Sequence, residues 1–250
     1  MNCPAISLEH VNAGYGTTPV LEDVSFEIAH GEIFVLLGGS GCGKTTLMKH
    51  MIGLNPVLSG RLLISGMEWN AANRSELCRK IGVMFQSGAL FGSMTCLENI
   101  LLPLEEFSNL KKSSRVEKAM ELLESVELAD AAGKMPSEIS GGMRKRVAIA
   151  RAMALGPDVV FLDEPGAGLD PITAAALDGL VLKLRKERNM TFVIVTHELA
   201  SVFAIADRAA MFDRSRRRMI ALGSPSAIAS RTDDPFIVKF FKRGGFSNVG

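Results

Sequence analysis

The chemistry in this chain starts at Gly38-Gly-Ser-Gly-Cys-Gly-Lys-Thr45, which fits the pattern G-x-x-x-x-G-K-[ST] of a P-loop. An apolar run precedes it and a helical pattern follows. Glycines let consecutive backbone N–H groups converge on phosphate oxygens, and a helix N-terminus adds a favourable dipole for the anion. Gly38, Gly39, Ser40, Gly41, Cys42 and Gly43 are thus read as a phosphate cradle. Lys44 reaches for the β- and γ-phosphates, Thr45 for Mg²⁺, and Thr46 adds a hydroxyl at the same helix end. Cys42 reads as a small filler, not a nucleophile. Further on, Val159-Val-Phe-Leu runs into Asp163 and Glu164, a buried-strand pattern ending in two carboxylates. Asp163 suits support of Mg²⁺, and Glu164 suits polarising an attacking water. Ser140-Gly141-Gly142 opens another helical pattern. A serine cap followed by glycines exposes N–H groups at a positive helix end, a second anion site.

Alternating elements must position these residues. Strand patterns occur at residues 6–11, 21–28, 33–37, 60–64 and 81–85, with a helix at about 44–53 after the glycine loop. From about Ser87 to Met153 the pattern turns helical, at 97–102, 116–126 and 143–153. Alternation then returns: strand 159–162, helix 172–188, strand 191–195, helix 198–206 and strand 209–212. Strand–helix alternation predicts an α/β core with a parallel sheet, the helical middle being inserted into it. Residues 214–218 read as a solvated hairpin turn. From Asp234 a short helix is expected, with Phe236, Ile237, Phe240 and Phe241 on one stripe.

The whole composition narrows the classes. The 250 residues carry 28 Lys plus Arg against 27 Asp plus Glu, a net charge of +1. That supplies no field for nucleic acid or anionic lipid, so no nucleic-acid partner is expected. Arg144-Lys-Arg146 and Arg216-Arg-Arg218 accordingly read as solvated faces. No apolar stretch has the length of a membrane span, and the start has no signal-peptide pattern. The four cysteines fit neither a disulfide framework nor a metal spacing.

Taken in order, these motifs resemble the nucleotide-binding subunits of ATP-binding cassette (ABC) transporters over nearly the whole chain. Gly38–Thr45 matches Walker A. Val159–Asp163 with Glu164 matches Walker B and the catalytic glutamate. Ser140-Gly-Gly142 matches the signature that sets this family apart from other P-loop ATPases. The resemblance further assigns Gln86 to the Q-loop, where it is catalytic and a Mg²⁺ ligand, His197 to the switch histidine, Asp170 to the D-loop, and Tyr15 to the aromatic residue stacked on adenine. It implies catalysis by Glu164, His197, Gln86 and Lys44. It also implies one ABC ATPase domain over 1–250: a P-loop NTPase core (1–86 and 154–225) with an N-terminal antiparallel β subdomain, an inserted helical subdomain (87–153) and a tail (226–250). ATP and Mg²⁺ would be bound in a head-to-tail dimer, each ATP lying between Walker A of one copy and the Ser140 region of the other. Two departures stand out. Ile139 and Met143 flank the signature where leucine and glutamine are usual, and Ala167 stands in the D-loop where a serine is common.

Within that family, Gln86-Ser-Gly-Ala-Leu-Phe91, Ser-Gly-Gly-Met143 and Asp170-Pro-Ile-Thr173 resemble the Mla-type lipid-transport ATPases. This implies phospholipid movement between inner and outer membranes, with a permease and a periplasmic MCE-type lipid-binding protein as partners. The chain would sit on the cytoplasmic face of the inner membrane. One alternative is the ATPase of an importer for amino acids or another small solute. Another is a soluble ABC-type ATPase of DNA repair or translation, a class that usually carries a long coiled-coil insertion or two cassettes. The tail stripe suits packing on its own domain or contact with a second copy.

Overall fold

The computed structural model describes residues 3–243. The chain begins with strands β1 (Ile6–Tyr15), β2 (Thr18–Ile28) and β3 (Ile33–Gly38), and helix α1 (Lys44–Met51) follows the glycine loop. Next come β4 (Ser59–Ile64), β5 (Met67–Glu68), α2 (Arg74–Lys80) and β6 (Ile81–Met84). Three helices then run without a strand: α3 (Cys96–Phe107), α4 (Lys112–Ser125) and α5 (Gly141–Ala152). The last third alternates through β7 (Val159–Asp163), α6 (Pro171–Arg188), β8 (Thr191–Val195), α7 (Leu199–Ile205), β9 (Arg208–Asp213) and β10 (Arg218–Gly223). It closes with α8 (Pro225–Ala229) and α9 (Pro235–Arg243).

Two sheets result. A small antiparallel one has the order β2-β1-β4-β5. A larger one has the order β10-β9-β3-β8-β7-β6, parallel except for β10, which runs antiparallel to β9. The fold is therefore the expected α/β arrangement. Strand period two divides its core. Ile33, Val35 and Leu37 of β3 pack toward the helices, whereas Phe34 and Leu36 pack toward α1 and the antiparallel sheet. Strands β3, β7 and β8 are buried along their whole length, as parallel strands covered on both faces must be.

Strands β3, β6, β7 and β8 run in one direction, so the glycine loop, Gln86, Asp163–Glu164 and His197 all emerge at their carboxyl ends. That edge is where open α/β sheets bind ligands. Toward its amino end, β6 is pressed tightly against the helical segment. A Cβ added to Gly82 would come within 2.1 Å of the Ala152 carbonyl oxygen, a backbone atom that cannot swing away. Gly82→Ala is expected to destabilise the fold by about 1–3 kcal/mol through overpacking, read as a lower denaturant midpoint. An unchanged midpoint contradicts this.

The basic turn at 214–217 joins β9 to β10 as the expected solvated hairpin: its residues are exposed, Arg216 pairs with Asp213 at 3.3 Å and with Asp234, and Arg217 lies 3.6 Å from Glu22. The Arg144-Lys-Arg146 run, by contrast, is not the solvated face expected. Arg144 donates to the Ile139 carbonyl at 2.8 Å, Arg146 pairs with Glu127 at 2.7 Å, and Lys145 is buried. The tail helix packs on its own domain: Ile237 and Phe241 are buried, and the Phe241 ring meets Phe203 edge-on at 6.0 Å. Residues 244–250 of the expected tail lie outside the described residues.

Candidate nucleotide site

The glycine loop wraps one end of a cleft of about 1360 Å³. Residues Gly39 to Thr46 line it from β3 and α1, Gln86 from the end of β6, Glu164 from β7 and His197 from β8. Gly43, at φ +102°, starts α1 in a conformation that side chains resist, and a Cβ there would press on Leu21 at 2.8 Å. Lys44 is only 7% exposed, and its Nζ donates to the carbonyls of Gly38 at 2.8 Å and Gly39 at 3.1 Å. The ammonium is thus held inside the loop that lines the cleft. Cys42 is a buried thiol whose Sγ lies 3.8 Å from Lys44 Nζ, and burial pushes its pKa up, as suits a filler.

Thr45 Oγ1 approaches Asp163 Oδ1 at 3.5 Å. Burial, then the neighbouring Glu164, raises the pKa of Asp163. With Gln86 lining the same cleft, this is an all-oxygen donor set of the kind a small hard dication takes. Glu164 sits at φ +46°, an uncommon conformation for a non-glycine residue. Its N–H donates to the Val195 carbonyl at 2.8 Å, and its Oε1 is 2.9 Å from His197 Nδ1. Its Oε2 is buried with no hydrogen-bond partner among the described residues. The carboxylate is therefore tethered on one oxygen only, beside the loop that holds Lys44.

Tyr15 ends β1 and is 50% exposed, its hydroxyl 3.4 Å from Thr46 Oγ1 at the start of α1. Beneath it, the buried His50 of α1 fixes the hairpin: Nε2 accepts from the Gly14 N–H at 3.0 Å, and Nδ1 lies 3.1 Å from the Asn55 carbonyl.

Tyr15 and Asp163 touch the cleft residues Thr46 and Thr45 without lining the cleft themselves, Gly38 lies just before its wall, and the remaining sequence-assigned residues lie outside it. Ser140 is exposed and caps α5, its Oγ accepting from Met143 N–H at 3.2 Å; Gly141 and Gly142 begin that helix. Asp170 caps α6, accepting from the N–H groups of Ile172 and Thr173 at 3.1 and 3.0 Å. The Thr173 hydroxyl bond, first among the causes, lowers its pKa. Sequence reasoning missed Asp178, Glu198 and Ser201, which carry the cleft on past the cradle between α6 and α7. Pro171, Ala174, Ala175 and Asp178 follow the helical spacing of a single face, a signal the sequence did carry.

A glycine cradle, a buried lysine and a strand-end carboxylate pair, set at the carboxyl edge of a parallel sheet, define a nucleotide-hydrolysing P-loop protein. The ABC transporter family model matches residues 21–167, so the chain belongs to the ABC transporter family. It is the ATP-binding subunit type of that family, an ATPase. It is 36% identical over 231 residues to the intermembrane phospholipid transport ATP-binding protein MlaF of Escherichia coli, covering 91% of this chain and 85% of that one. It is likewise 36% identical over 249 residues to the probable ribonucleotide transport ATP-binding protein mkl of Mycobacterium leprae, covering 98% and 71%. It is 39% identical over 214 residues to the methionine import ATP-binding protein MetN of Rhizobium johnstonii, covering 84% and 59%. Among solved structures, cbiO1 from Clostridium perfringens, part of the ABC transporter complex cbiONQ, superposes with TM-score 0.83 at 27% identity, over 96% of this chain and 95% of that one. A dimeric ATP-binding cassette in a post-hydrolysis state, bound to ADP and Pi, superposes with TM-score 0.78 at 28% identity, over 88% and 98%.

Proposed function

We propose that this ATPase drives phospholipid transport between membranes, and that its two reaction centres are each built from two copies of the chain. In each centre the glycine loop and Lys44 hold the β- and γ-phosphates, and Tyr15 stacks on the adenine. Thr45, Asp163 and Gln86 fit Mg²⁺, which when bound neutralises phosphate charge. Water attacks the γ-phosphorus and gives its proton to Glu164, while the bond to the ADP oxygen breaks. His197 keeps Glu164 oriented through the 2.9 Å contact and faces the same cleft. The observation that carries the shared-centre reading is the exposure of Ser140, at the N-terminus of α5 and outside its own cleft, where a second copy could meet it. A dimeric cassette bound to ADP and Pi among the structural neighbours supports pairing of two copies.

The lipid reading rests on the segment after Gln86. Asn99 accepts from the Phe91 N–H at 2.8 Å and donates to the Phe91 carbonyl at 3.1 Å, so the loop is rigid while the Phe91 ring stays half exposed. We read that loop as the seat for a membrane permease. The likeness to MlaF extends over most of both chains, whereas the match to MetN spans 59% of that protein. Among the described residues no helix is long and apolar enough to cross a membrane, so attachment would run through the permease. A periplasmic MCE-type lipid-binding protein would complete the assembly, with this chain on the cytoplasmic face of the inner membrane. The second reading, import of methionine or a similar solute, is favoured by the 39% identity to MetN. Purifying the tagged chain with its membrane partners and identifying bound proteins and lipids separates the two. Phospholipid together with an MCE-type protein is expected; a solute-binding protein in its place overturns the lipid reading.

A further inference from the structure

Lys145 is a buried cation that nothing in the hydrolytic scheme above uses. It lies on α5, the helix that Ser140 caps, and is 7% exposed. Taking an ammonium out of water is costly unless its donors are satisfied. Here they are satisfied by two backbone carbonyls outside α5. Nζ donates to the carbonyl of Gln86, and at 3.4 Å it reaches the carbonyl of Glu164. Burial pulls the lysine pKa down, while the charges of Asp163 and Glu164 oppose that shift, so both carboxylates lie within electrostatic reach.

What the lysine holds is strained. Glu164 adopts φ +46°, and such a conformation persists only where the surroundings over-determine it. Three braces are present. The Glu164 N–H is tied to Val195 of β8, and its carbonyl receives the Ala167 N–H at 3.1 Å from its own loop. Lys145 supplies the third brace and the only one of these from the helical segment. The same ammonium ties down Gln86, which lines the same cleft.

We propose that Lys145 is a positioning residue: it fixes the Gln86 and Glu164 backbones to α5, so that the placement of the carboxylate that takes the proton of water follows the helix that presents Ser140. This rests on the reading of Gln86 and Glu164 as groups of hydrolysis. In a shared centre, Ser140 of one copy serves the nucleotide bound by the other, while Lys145 of that copy acts on its own Glu164. One helix then touches both reaction centres.

The test uses the full chain with Lys145→Met, Lys145→Arg and Lys145→Gln, measuring kcat and KM for ATP, equilibrium binding of a fluorescent ATP analogue, and thermal unfolding. Lys145→Met, similar in length but uncharged, is expected to lower kcat at least tenfold while KM and affinity stay within twofold. Lys145→Arg, able to donate to both carbonyls, is expected to restore kcat to within threefold of the parent. The inference is overturned if Lys145→Met keeps kcat within twofold, if affinity falls in step with kcat, or if arginine does no better than methionine. Should Lys145→Met not fold, Lys145→Gln takes its place with the same split expected, and near-parental turnover in it is equally fatal. Glu164→Gln measured alongside separates the two levels. Parental turnover there removes the hydrolytic reading itself, whereas silence confined to the Lys145 variants removes only the positioning role.

Discussion

Glu164→Gln will bind ATP with near-parental affinity and hydrolyse it at least about a hundredfold more slowly, the lower end of what a general base contributes. The substitution keeps the size of the side chain and an oxygen able to face His197 Nδ1, now 2.9 Å from Glu164 Oε1, so the cleft should keep its shape. What is lost is the basic oxygen that takes the proton of water. The phosphate cradle, formed by the β3–α1 loop, is untouched. ATP should therefore accumulate uncleaved, and paired chains with it. Single-turnover hydrolysis and light scattering in the presence of ATP read both effects. Steady-state turnover at the parental rate would falsify the role assigned to Glu164.

Lys44→Ala acts one step earlier. Its ammonium is almost fully buried and bonded to the carbonyls of Gly38 and Gly39, so the charge is already fixed where the loop can present it to an anion. A hydrogen bond to a charged group is worth about 1.5–3 kcal/mol. Its removal is expected to weaken ATP binding roughly 10- to 100-fold at 1.4 kcal/mol per factor of ten. The loss should be larger for ATP than for AMP, which lacks the β- and γ-phosphates, and this contrast distinguishes a lost phosphate contact from a collapsed loop. Equal losses for both nucleotides, or none, contradict the cradle. Hydrolysis should fall at least as far as binding.

Much of the fold was legible because buried parallel strands announce themselves. The runs Ile33–Leu37, Val159–Leu162 and Phe192–Val195 are apolar throughout, and each ends where a loop residue must do chemistry. The cradle, Glu164 and His197 could be placed because the sheet delivers strand ends to one edge. Elements that bury little left no trace. Helix α2 buries only Leu77, and β5 is two residues long, held by pairing with β4. Strand β10 is an edge strand paired with β9, and its short mixed run after the solvated basic turn gave no clear alternation. Lys145 was missed because it stands in the middle of Arg-Lys-Arg. Its helical spacing to Ala148 and Ile149, both fully buried, was the available signal. Composition outweighed periodicity there, and periodicity was the better guide. Ser140 shows the opposite limit. Its cap and glycines could be read locally, but its place outside its own cleft needed coordinates.

The claim on which the rest depends is that two chains share each reaction centre. It is tested by measuring ATP turnover per chain over a wide range of chain concentration, with the fraction of paired chains followed by light scattering in the same samples. Turnover per chain should rise with concentration, track the paired fraction and level off when pairing is complete. Turnover per chain that stays constant down to concentrations where only single chains remain would contradict the account.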